Sequence, residues 1–432
     1  MAILYKTIIN IIFLIIFPVL PIIYFFSEKR RANMLSRLGL RTNLKPKQIG
    51  KKRIWIHALS VGEVISSLPF VKALKKQHKN LDIVFTASTK TGFDMATKLF
   101  LKKDDMSTDQ LGYFPFDLGW SVKKITRAIE PDAVVIVETD LWPNFLHEMK
   151  KNKTPVVLIN ARLSKPSLKG YLFFRKFSSM FFSSLTMIMA QTVLDKERFQ
   201  RIGVDPNKIL VTGNIKFDQP LEDMDQETRK AMMDRFGMQK DTKVFIAGST
   251  HEGEENILCK VYKKVKKNFP GFVMILAPRD PKRCSKILSY FLSNDVHTVL
   301  MSKMDEFNDC PNVILVDKMG ELFKLYAICD VAFIGGSMVS QGGHNPLEPA
   351  AFSKPILFGD DMSDFLLIST WLLDHGGAKR VSSEQDLSKE LETLFFNRQV
   401  QQNMGSKNFE VFSKNCGAVK RIIKNMEQLH IV

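Results

Sequence analysis

Short apolar runs alternate with helix-like segments along most of the chain, and this rhythm constrains the fold more than any other feature. Runs of this length with few charges favour buried parallel strands. A strand followed by a helix and another strand is the order of a βαβ unit. One series comprises Ile54–His57, Asp82–Thr86, Ala133–Val137 and Ile209–Ile215, and a second comprises Lys243–Ala247, Phe272–Leu276, Val313–Val316, Val331–Ile334 and Ile356–Phe358. The sequence therefore predicts an α/β protein with two doubly wound domains.

Chain length and polar segments suggest the domain boundaries. A chain of 432 residues is longer than one hydrophobic core usually supports. The segment 219–241 is rich in acidic and other polar residues, which is typical of a linker with a first helix. We therefore predict a membrane anchor over 1–27, one domain over 28–218, a second over 242–410 and a C-terminal helix over 411–432.

The N-terminal segment is the candidate anchor. Ile8–Phe26 is apolar apart from Asn10 and is long enough to cross roughly 30 Å of hydrocarbon at ~1.5 Å per residue. The basic cluster Lys29–Arg31 follows without the small residues of a cleavage site, so the segment is expected to stay attached. By the positive-inside tendency, the rest of the chain would lie on the cytoplasmic face. Pro18 and Pro21 leave open a kinked helix that lies in the membrane without spanning it.

Composition narrows the classes of function. Basic residues outnumber acidic ones by 62 to 45, and the net charge of +17 suits nucleic acid, anionic lipid or an acidic substrate. Because the chain also carries a candidate membrane anchor, we expect its basic surface to meet anionic lipid and not nucleic acid. The five cysteines show no CxxC spacing and the eight histidines no His-x-x-x-His pair, so no metal is implied. A GxGxxG fingerprint is missing, which argues against a nicotinamide or flavin enzyme, and no cofactor is expected.

The densest polar loop follows the predicted strand Val331–Ile334. Gly335–Gly336 lets the chain turn, and Gln341–Pro346 then brings backbone N–H groups and an amide to a prospective helix start. Glu348 follows within the first turn of that helix, which is expected to continue through Phe352. A carboxylate in this position can accept hydrogen bonds from a ribose diol. From the residues alone, the loop is either a nucleotide site or a glycine-rich connection between two strands.

Eight motifs resemble those of a known enzyme family. They are WIHALSVGEV (55–64), VETDLWPN (137–144), NARLS (160–164), GNIKFD (213–218), AGSTHEGEE (247–255), LAPRDPKR (276–283), KMGEL (318–322) and GGHNPLEPAAFSKPILFG (342–359). Through nearly its whole length the chain is similar to GT-B glycosyltransferases, and in particular to the 3-deoxy-D-manno-octulosonic acid (Kdo) transferases that decorate lipid A. It departs from that family after the last motif, where Gly359-Asp360-Asp361-Met362 replaces the usual Gly-Pro.

The resemblance implies a fold, a reaction and a cellular place. A GT-B fold has two Rossmann-like domains that face a cleft, here an acceptor-binding domain over 28–218 and a donor-binding domain over 242–410. The implied reaction is an inverting, metal-independent transfer of Kdo from CMP-Kdo to a lipid A precursor, lipid IVA, in lipopolysaccharide biosynthesis. The enzyme would lie on the cytoplasmic side of the inner membrane, as a single-pass or monotopic protein.

Three charged residues at predicted strand ends are the catalytic candidates. Glu63 lies at the start of a helix, where the dipole favours its ionised form, so it is either a general base or an ordinary capping glutamate. Glu138 closes the strand Ala133–Val137 and Lys216 closes Ile209–Ile215, so the two could stabilise a transition state or form a structural ion pair. The resemblance implies that Glu63 is the base and that Glu138 and Lys216 stabilise the transition state.

Nucleotide contacts are expected at strand exits of the second domain. Arg279 follows one of these strands, and its guanidinium group could meet a phosphate or simply lie on the surface. The resemblance implies that two further short segments also contact the nucleotide. The predicted set is Pro278, Arg279, Met319, Gly320, Glu321, Asn345, Pro346, Leu347 and Glu348. The hydroxyls of Ser249 and Thr250 are expected to line the opening of the same nucleotide site.

An aromatic stretch, 171–182, is a second candidate for contact with the membrane. Four aromatic residues recur at helical spacing beside two adjacent cations: Tyr171, Phe174, Phe177 and Phe181 beside Arg175 and Lys176. This pattern is typical of an interfacial helix that receives a lipid acceptor, and equally of a helix packed on the sheet.

Two other classes of function stay open from the sequence. A different GT-B transferase, or an epimerase, that uses a UDP-sugar would keep the fold and the polar loop but should prefer a nucleoside diphosphate. A non-enzymatic membrane scaffold would use only the anchor and the basic surface, and should bind no nucleotide.

Overall fold

The computed structural model describes residues 28–41, 44–102, 105–138, 142–218, 226–306 and 309–432. These residues form two compact units. The first contains the described residues up to Asp218 together with Cys416–Val432, and the second contains those from Gln226 to Asn415. The anchor predicted over 1–27 lies outside the described residues. Among the helices of the described ranges, none is long and apolar enough to cross a membrane.

The first unit is built on a parallel sheet, which has seven strands in the part of the chain that the structure describes. In chain order the strands are β1 (Arg53–Ala58), β2 (Asp82–Ala87), β3 (Gln110–Tyr113), β4 (Ala133–Val137), β5 (Val156–Ala161), β6 (Met187–Ala190) and β7 (Ile209–Val211). Their spatial order is β3-β2-β1-β4-β5-β6-β7, and each neighbouring pair is parallel. All of them therefore end at the same edge, which is where ligands bind in open α/β sheets.

Helices cover both faces of this sheet. They are α1 (Glu28–Arg37), α2 (Val61–Gln77), α3 (Lys90–Phe100), α4 (Gly119–Ile129), α5 (Pro143–Lys151), α6 (Lys165–Phe173), α7 (Arg175–Phe182) and α8 (Val193–Ile202), and a small hairpin pairs Leu101–Lys102 with Asp105–Met106. Adjacent residues of β1 show the two-sided burial, since Ile54 and Ile56 belong to one hydrophobic cluster and Trp55 to the other. Burial on both faces explains why the strands read as continuous apolar runs.

The second unit repeats this architecture. Its strands are β8 (Lys243–Thr250), β9 (Phe272–Pro278), β10 (Thr298–Leu300), β11 (Val313–Leu315), β12 (Val331–Ile334), β13 (Ile356–Phe358) and β14 (Ala378–Arg380), in the spatial order β10-β11-β9-β8-β12-β13-β14. The helices are α9 (Gln226–Arg235), α10 (Glu254–Asn268), α11 (Cys284–Leu292), α12 (Leu322–Leu325), α13 (Leu347–Ala351), α14 (Leu366–Asp374), α15 (Glu384–Phe396) and α16 (Arg398–Asn415). The predicted pair of doubly wound domains is confirmed.

The end of the chain differs from the single helix predicted over 411–432. Helix α16 ends at Asn415, and a new helix, α17 (Ala418–Gln428), begins after Gly417, whose φ of +87° breaks the helical path. The carboxylate of Asp218 accepts the N–H groups of Gly417 and Val419 at 2.5 Å each. Through this connection the chain returns to the first unit, where the apolar face of α17 joins the buried core.

The aromatic stretch 171–182 also differs from a single interfacial helix. It is divided into α6 and α7 at Phe174, and Tyr171, Phe177 and Phe181 pack against the core of the first unit. For these three residues the packed helix is the correct interpretation. Phe173 and Phe174 are instead 81% and 62% exposed, and their rings meet edge to face at 4.8 Å.

Candidate active site

Glu63 is a capping residue in the structure. Helix α2 begins after Ser60, whose hydroxyl accepts the N–H of Glu63 at 3.3 Å. The Glu63 carboxylate in turn accepts the N–H of Leu59 at 2.6 Å and the hydroxyl of Ser60 at 3.1 Å. Its side chain is nearly buried, with 8% of its surface exposed. Glu63 therefore caps helix α2, beyond the carboxyl end of β1. A catalytic role for the same carboxylate stays a prediction.

Glu138 follows β4, the neighbour of β1, in an unusual backbone conformation. Its φ is +65°, and its N–H donates to the Ile159 carbonyl at 2.9 Å. A non-glycine residue in the left-handed region costs on the order of 1–2 kcal/mol, and such strain collects at functional sites. On the next strand, Asn160 shares this conformation with a φ of +54° and is fully buried. The sheet edge predicted to carry the chemistry is thus also where the backbone is strained.

Lys216 does not close a strand as predicted. Strand β7 ends at Val211, because Gly213 takes a φ of +93° and Asn214 then begins a 3₁₀ helix over Ile215–Phe217. The Asn214 side-chain oxygen accepts the N–H of Lys216 at 3.0 Å. This turn packs on α2, and buried Ile215 shares a hydrophobic cluster with the residue after Glu63. The lysine therefore lies on a turn packed against the helix that carries the candidate base.

The predicted nucleotide residues of the second unit lie in the last residues of four strands that are adjacent in the sheet, β11, β9, β8 and β12, or in the loops that follow them. Pro278 is the buried last residue of β9, and Arg279 after it is exposed. The turn Met319-Gly320-Glu321 follows β11, with Met319 55% exposed and Gly320 at a φ of +95°. Since parallel strands end at one edge, these residues lie along the same rim of the sheet.

The polar loop after β12 holds a partly buried carboxyl group. The Asn345 side chain donates to Glu348 at 3.4 Å and accepts the N–H of Leu347 at 3.1 Å. Burial raises the pKa of Glu348 to about 7, although the hydrogen bond from Asn345 and the charge of Arg279 act in the opposite direction. Near neutral pH this group can therefore either donate a hydrogen bond to a ribose hydroxyl or accept one.

The helix at this loop is shorter than predicted. Helix α13 begins after Pro346, covers only Leu347–Ala351 and contains Pro349, which has no N–H to donate, so Phe352 lies beyond its end. A helix of so few peptide units has a small dipole. The expected contribution of its N-terminus to anion binding is correspondingly weak, and a bound phosphate would depend mainly on side chains such as Arg279.

At the end of β8 the two predicted hydroxyls differ. Ser249 is half-buried with a φ of +59°. Thr250 is fully buried, and its hydroxyl donates to Glu255 at 3.1 Å, so this group is engaged inside the unit and does not line a surface mouth. Glu255 also receives both ends of the Arg283 guanidinium group, at 2.9 and 3.0 Å.

Sequence reasoning missed the residue that holds the loop after β12 in place. Glu254 is fully buried at the start of α10, and its carboxylate accepts the N–H groups of Gly336, Ser337 and Met338 at 2.8 to 3.1 Å and that of His251 at 2.9 Å. The acidic pair in AGSTHEGEE was the only signal available, and acidic residues in a first helical turn are ordinary.

The segment that departs from the family pattern also supports this loop. Asp361 accepts the N–H of Gly342 at 2.8 Å and donates its own N–H to the Ser337 carbonyl at 3.0 Å. Met362 is buried against Gly343, whose φ of +68° and close neighbour leave little space for a side chain. The Gly359–Met362 segment therefore fixes the turn that precedes Asn345.

Two doubly wound sheets of this kind define the GT-B class of glycosyltransferase folds. The structure is similar to that of UDP-GlcNAc 2-epimerase from Neisseria meningitidis bound to UDP-GlcNAc, with a TM-score of 0.60 and 18% sequence identity over 87% of this chain and 100% of that chain. At this identity the likeness shows the fold alone.

Sequence comparison identifies the family. A family profile described as 3-deoxy-D-manno-octulosonic-acid transferase (kdotransferase) matches residues 32–219. The 3-deoxy-D-manno-octulosonic acid transferase of Haemophilus influenzae is 33% identical over 92% of this chain and 91% of its own length. The enzyme of the same name from Chlamydophila psittaci is 30% identical over 78% of this chain and 82% of its own. The chain belongs to the family of 3-deoxy-D-manno-octulosonic acid transferases, which confirms the resemblance.

Proposed function

We propose that this enzyme moves Kdo from CMP-Kdo to a lipid A precursor in lipopolysaccharide biosynthesis. Membership of the family over nearly the whole chain is the observation that carries this proposal. The predicted donor residues, which lie at the ends of four adjacent strands of one sheet, support it independently of sequence identity.

The second unit would bind the cytidine nucleotide. Arg279 is exposed at the end of β9 and can pair with the single phosphate of CMP. Asn345 and Glu348 would bind the ribose hydroxyls, since one side chain offers an amide and the other a carboxyl group. Met319-Gly320-Glu321 lies on the same rim and would complete the nucleotide contacts.

The first unit would supply the chemistry. Glu63 would take the proton from the acceptor hydroxyl as that oxygen forms a bond to the anomeric carbon of Kdo, while the bond to phosphate breaks and CMP leaves. A single displacement inverts the anomeric centre. The same carboxylate would cap α2 through its hydrogen bonds from Leu59 and Ser60 and also take up the proton, because each carboxylate oxygen can accept more than one hydrogen bond. Glu138 and Lys216 would stabilise the charge that develops.

The membrane would meet the first unit at the break between α6 and α7. The exposed Phe173–Phe174 pair is flanked by the exposed cations Lys169, Arg175 and Lys176. Apolar rings beside cations suit a surface of anionic lipid. Together with an N-terminal anchor, this contact would hold the enzyme on the cytoplasmic face of the inner membrane, as a monotopic or single-pass protein.

Nucleotide selection tests the donor assignment. Calorimetric titration of the purified enzyme with CMP, UMP and UDP should give the tightest binding for CMP, because the site is proposed to hold one phosphate and a cytosine base. A clear preference for UDP would direct the search to transferases or epimerases that use UDP-sugars. Absence of binding by all three nucleotides would support the non-enzymatic scaffold.

A further inference from the structure

Two histidines beside the proposed donor site share a hydrogen bond. The Nε2 atom of His251, after β8, lies 2.8 Å from the Nε2 atom of His344, which precedes Asn345. The ring planes differ by only 8° while the ring centres are 5.1 Å apart. Since the centres are much farther apart than the nitrogen atoms, the rings meet edge to edge, as a nearly linear N–H···N bond requires.

This geometry restricts where protons can reside. One Nε2 must donate and the other must accept, so a neutral accepting ring carries its own proton on Nδ1. A neutral pair therefore offers one Nδ1–H donor and one Nδ1 lone pair. A pair with one extra proton offers two donors and a positive charge. An anion facing the Nδ1 atoms would favour that second state.

The surroundings keep the free pair neutral. Burial lowers the pKa of His344 to about 4, and Arg279 adds to the shift. Burial also lowers the pKa of His251, with Arg283 and Arg279 acting in the same direction and Glu255 against it. The charged groups around the pair are Arg279, Arg283, Glu252, Glu254, Glu255 and Glu348.

The carboxylates near the pair are largely engaged elsewhere. Glu255 is paired with Arg283, Glu252 with Lys286, and Glu254 with four backbone N–H groups. Within the described residues, Arg279 has no ion-pair partner, and its charge lies close enough to shift both histidines. Two half-buried rings and an exposed guanidinium group thus form a cluster that is suited to receive an anion.

We propose that His251, His344 and Arg279 form an anion subsite for the donor phosphate, and that the histidine pair takes up a proton when this anion binds. The inference rests on the proposed function for the identity of the anion. In the free enzyme the pair is neutral, which limits repulsion of Arg279. In the complex the added proton provides a second N–H donor, so the charge of the subsite rises only when an anion is present.

Calorimetry of CMP binding near neutral pH tests the proton uptake. The titration is carried out in Tris and in Bis-tris, because these buffers differ in ionisation enthalpy and neither supplies an anion of its own. For the wild type, the measured binding enthalpy should differ between the two buffers. The difference should correspond to uptake of a fraction of one proton from the buffer for each CMP bound. His251→Gln and His344→Gln keep a hydrogen-bonding group near each Nε2 position but cannot hold the extra proton, so both should lose this difference.

Comparison with the variants removes other protonation changes from the result. Protons exchanged by the CMP phosphate or by Glu348 are common to the wild type and the variants, and they cancel in the difference. Cytidine, which lacks the phosphate, should cause no uptake that depends on the histidines. Uptake that appears only when free Kdo is added with CMP would assign the subsite to the sugar carboxylate instead of the phosphate.

Each remaining outcome decides between the hypotheses. If CMP binds and the buffer dependence is the same in the wild type and both variants, the histidine subsite is wrong and the proposed function is unaffected. If the wild type binds no CMP, the donor assignment itself is wrong. Should a variant lose CMP binding altogether, NMR titration of the wild-type histidine rings decides: their pKa must rise when CMP is added, and unchanged values overturn the proposal.

Discussion

Replacing Glu63 by glutamine separates the two roles that this residue can have. Glutamine keeps the shape of the side chain and one acceptor oxygen, so it can retain the 2.6 Å bond from the Leu59 N–H. The Ser60 hydroxyl, now 3.1 Å from the carboxylate, can rotate to accept from the new amide group. What disappears is the negative charge, whose interaction with the start of α2 contributes about 0.3–1 kcal/mol. We therefore expect only a small fall in the melting temperature.

The expected effect on turnover is much larger. Without the carboxylate, the acceptor hydroxyl must lose its proton to water, and general bases typically contribute ~10²–10⁴-fold in rate. At about 1.4 kcal/mol per tenfold change, this loss corresponds to roughly 3–5 kcal/mol of barrier, well above the stability effect. CMP affinity should not change, because the donor residues belong to the second unit and Glu63 to the first. Initial rates with CMP-Kdo and a lipid acceptor, together with CMP calorimetry, measure both quantities.

Asp195 provides a matched control within the same unit. It occupies the same position in α8 that Glu63 occupies in α2: Thr192 caps the helix and donates to the Asp195 carboxylate at 2.6 Å, and the Leu163 N–H donates at 3.0 Å. Asp195→Asn should lower the melting temperature to a similar extent while turnover is preserved. If Glu63→Gln also retained near-normal turnover, Glu63 would be a cap alone, and Glu138 would become the next candidate for the base.

Three further results are expected. Glu348→Gln should weaken CMP binding by ~1–3 kcal/mol above pH 7, and this deficit relative to the wild type should shrink as the pH falls below about 7, because protonation of Glu348 then removes the acceptor charge from the wild type as well; a deficit that does not change with pH in calorimetry would place the ribose elsewhere. Gly343→Ala should lower both the melting temperature and CMP affinity more than Gly50→Ala, since both glycines have positive φ but only Gly343 lies against a buried methionine. Joint replacement of Phe173 and Phe174 by serine should reduce cosedimentation with anionic vesicles relative to zwitterionic ones, and equal binding by the wild type and the variant would contradict the proposed membrane contact.

Strand periodicity was sufficient to predict the two sheets, because strands buried on both faces are continuous apolar runs. The same rule predicted that Glu138 and Arg279 come directly after strands, whereas Glu63 lies beyond the end of β1 in the first turn of α2. The predicted series omitted five strands, β3, β5, β6, β10 and β14. Of these, β3 is only half-buried and carries the mixed sequence Gln110–Tyr113. Edge strands of this kind resemble loops in composition.

Contacts between segments that are distant in the chain could not be predicted. The hydrogen bond from the Gly336 N–H to Glu254 forms because two loops come together at the end of the sheet, and no local sequence pattern specifies that contact. The return of α17 to the first unit depends likewise on Asp218, about 200 residues earlier, because an amphipathic helix does not indicate which core it covers. The helical spacing in 171–182 correctly predicted helix, but the sequence did not predict the break at Phe174, which leaves some of the aromatic residues exposed.

The most direct test of the proposed function is the mass of the product. The purified enzyme, incubated with CMP-Kdo and the lipid A precursor, should convert the lipid to a species heavier by one or more Kdo residues and release an equal number of CMP molecules. Glu63→Gln should leave the lipid mass largely unchanged over the same time. An unmodified lipid with the wild-type enzyme, under conditions in which a UDP-sugar is consumed, would contradict the assignment of donor and reaction together.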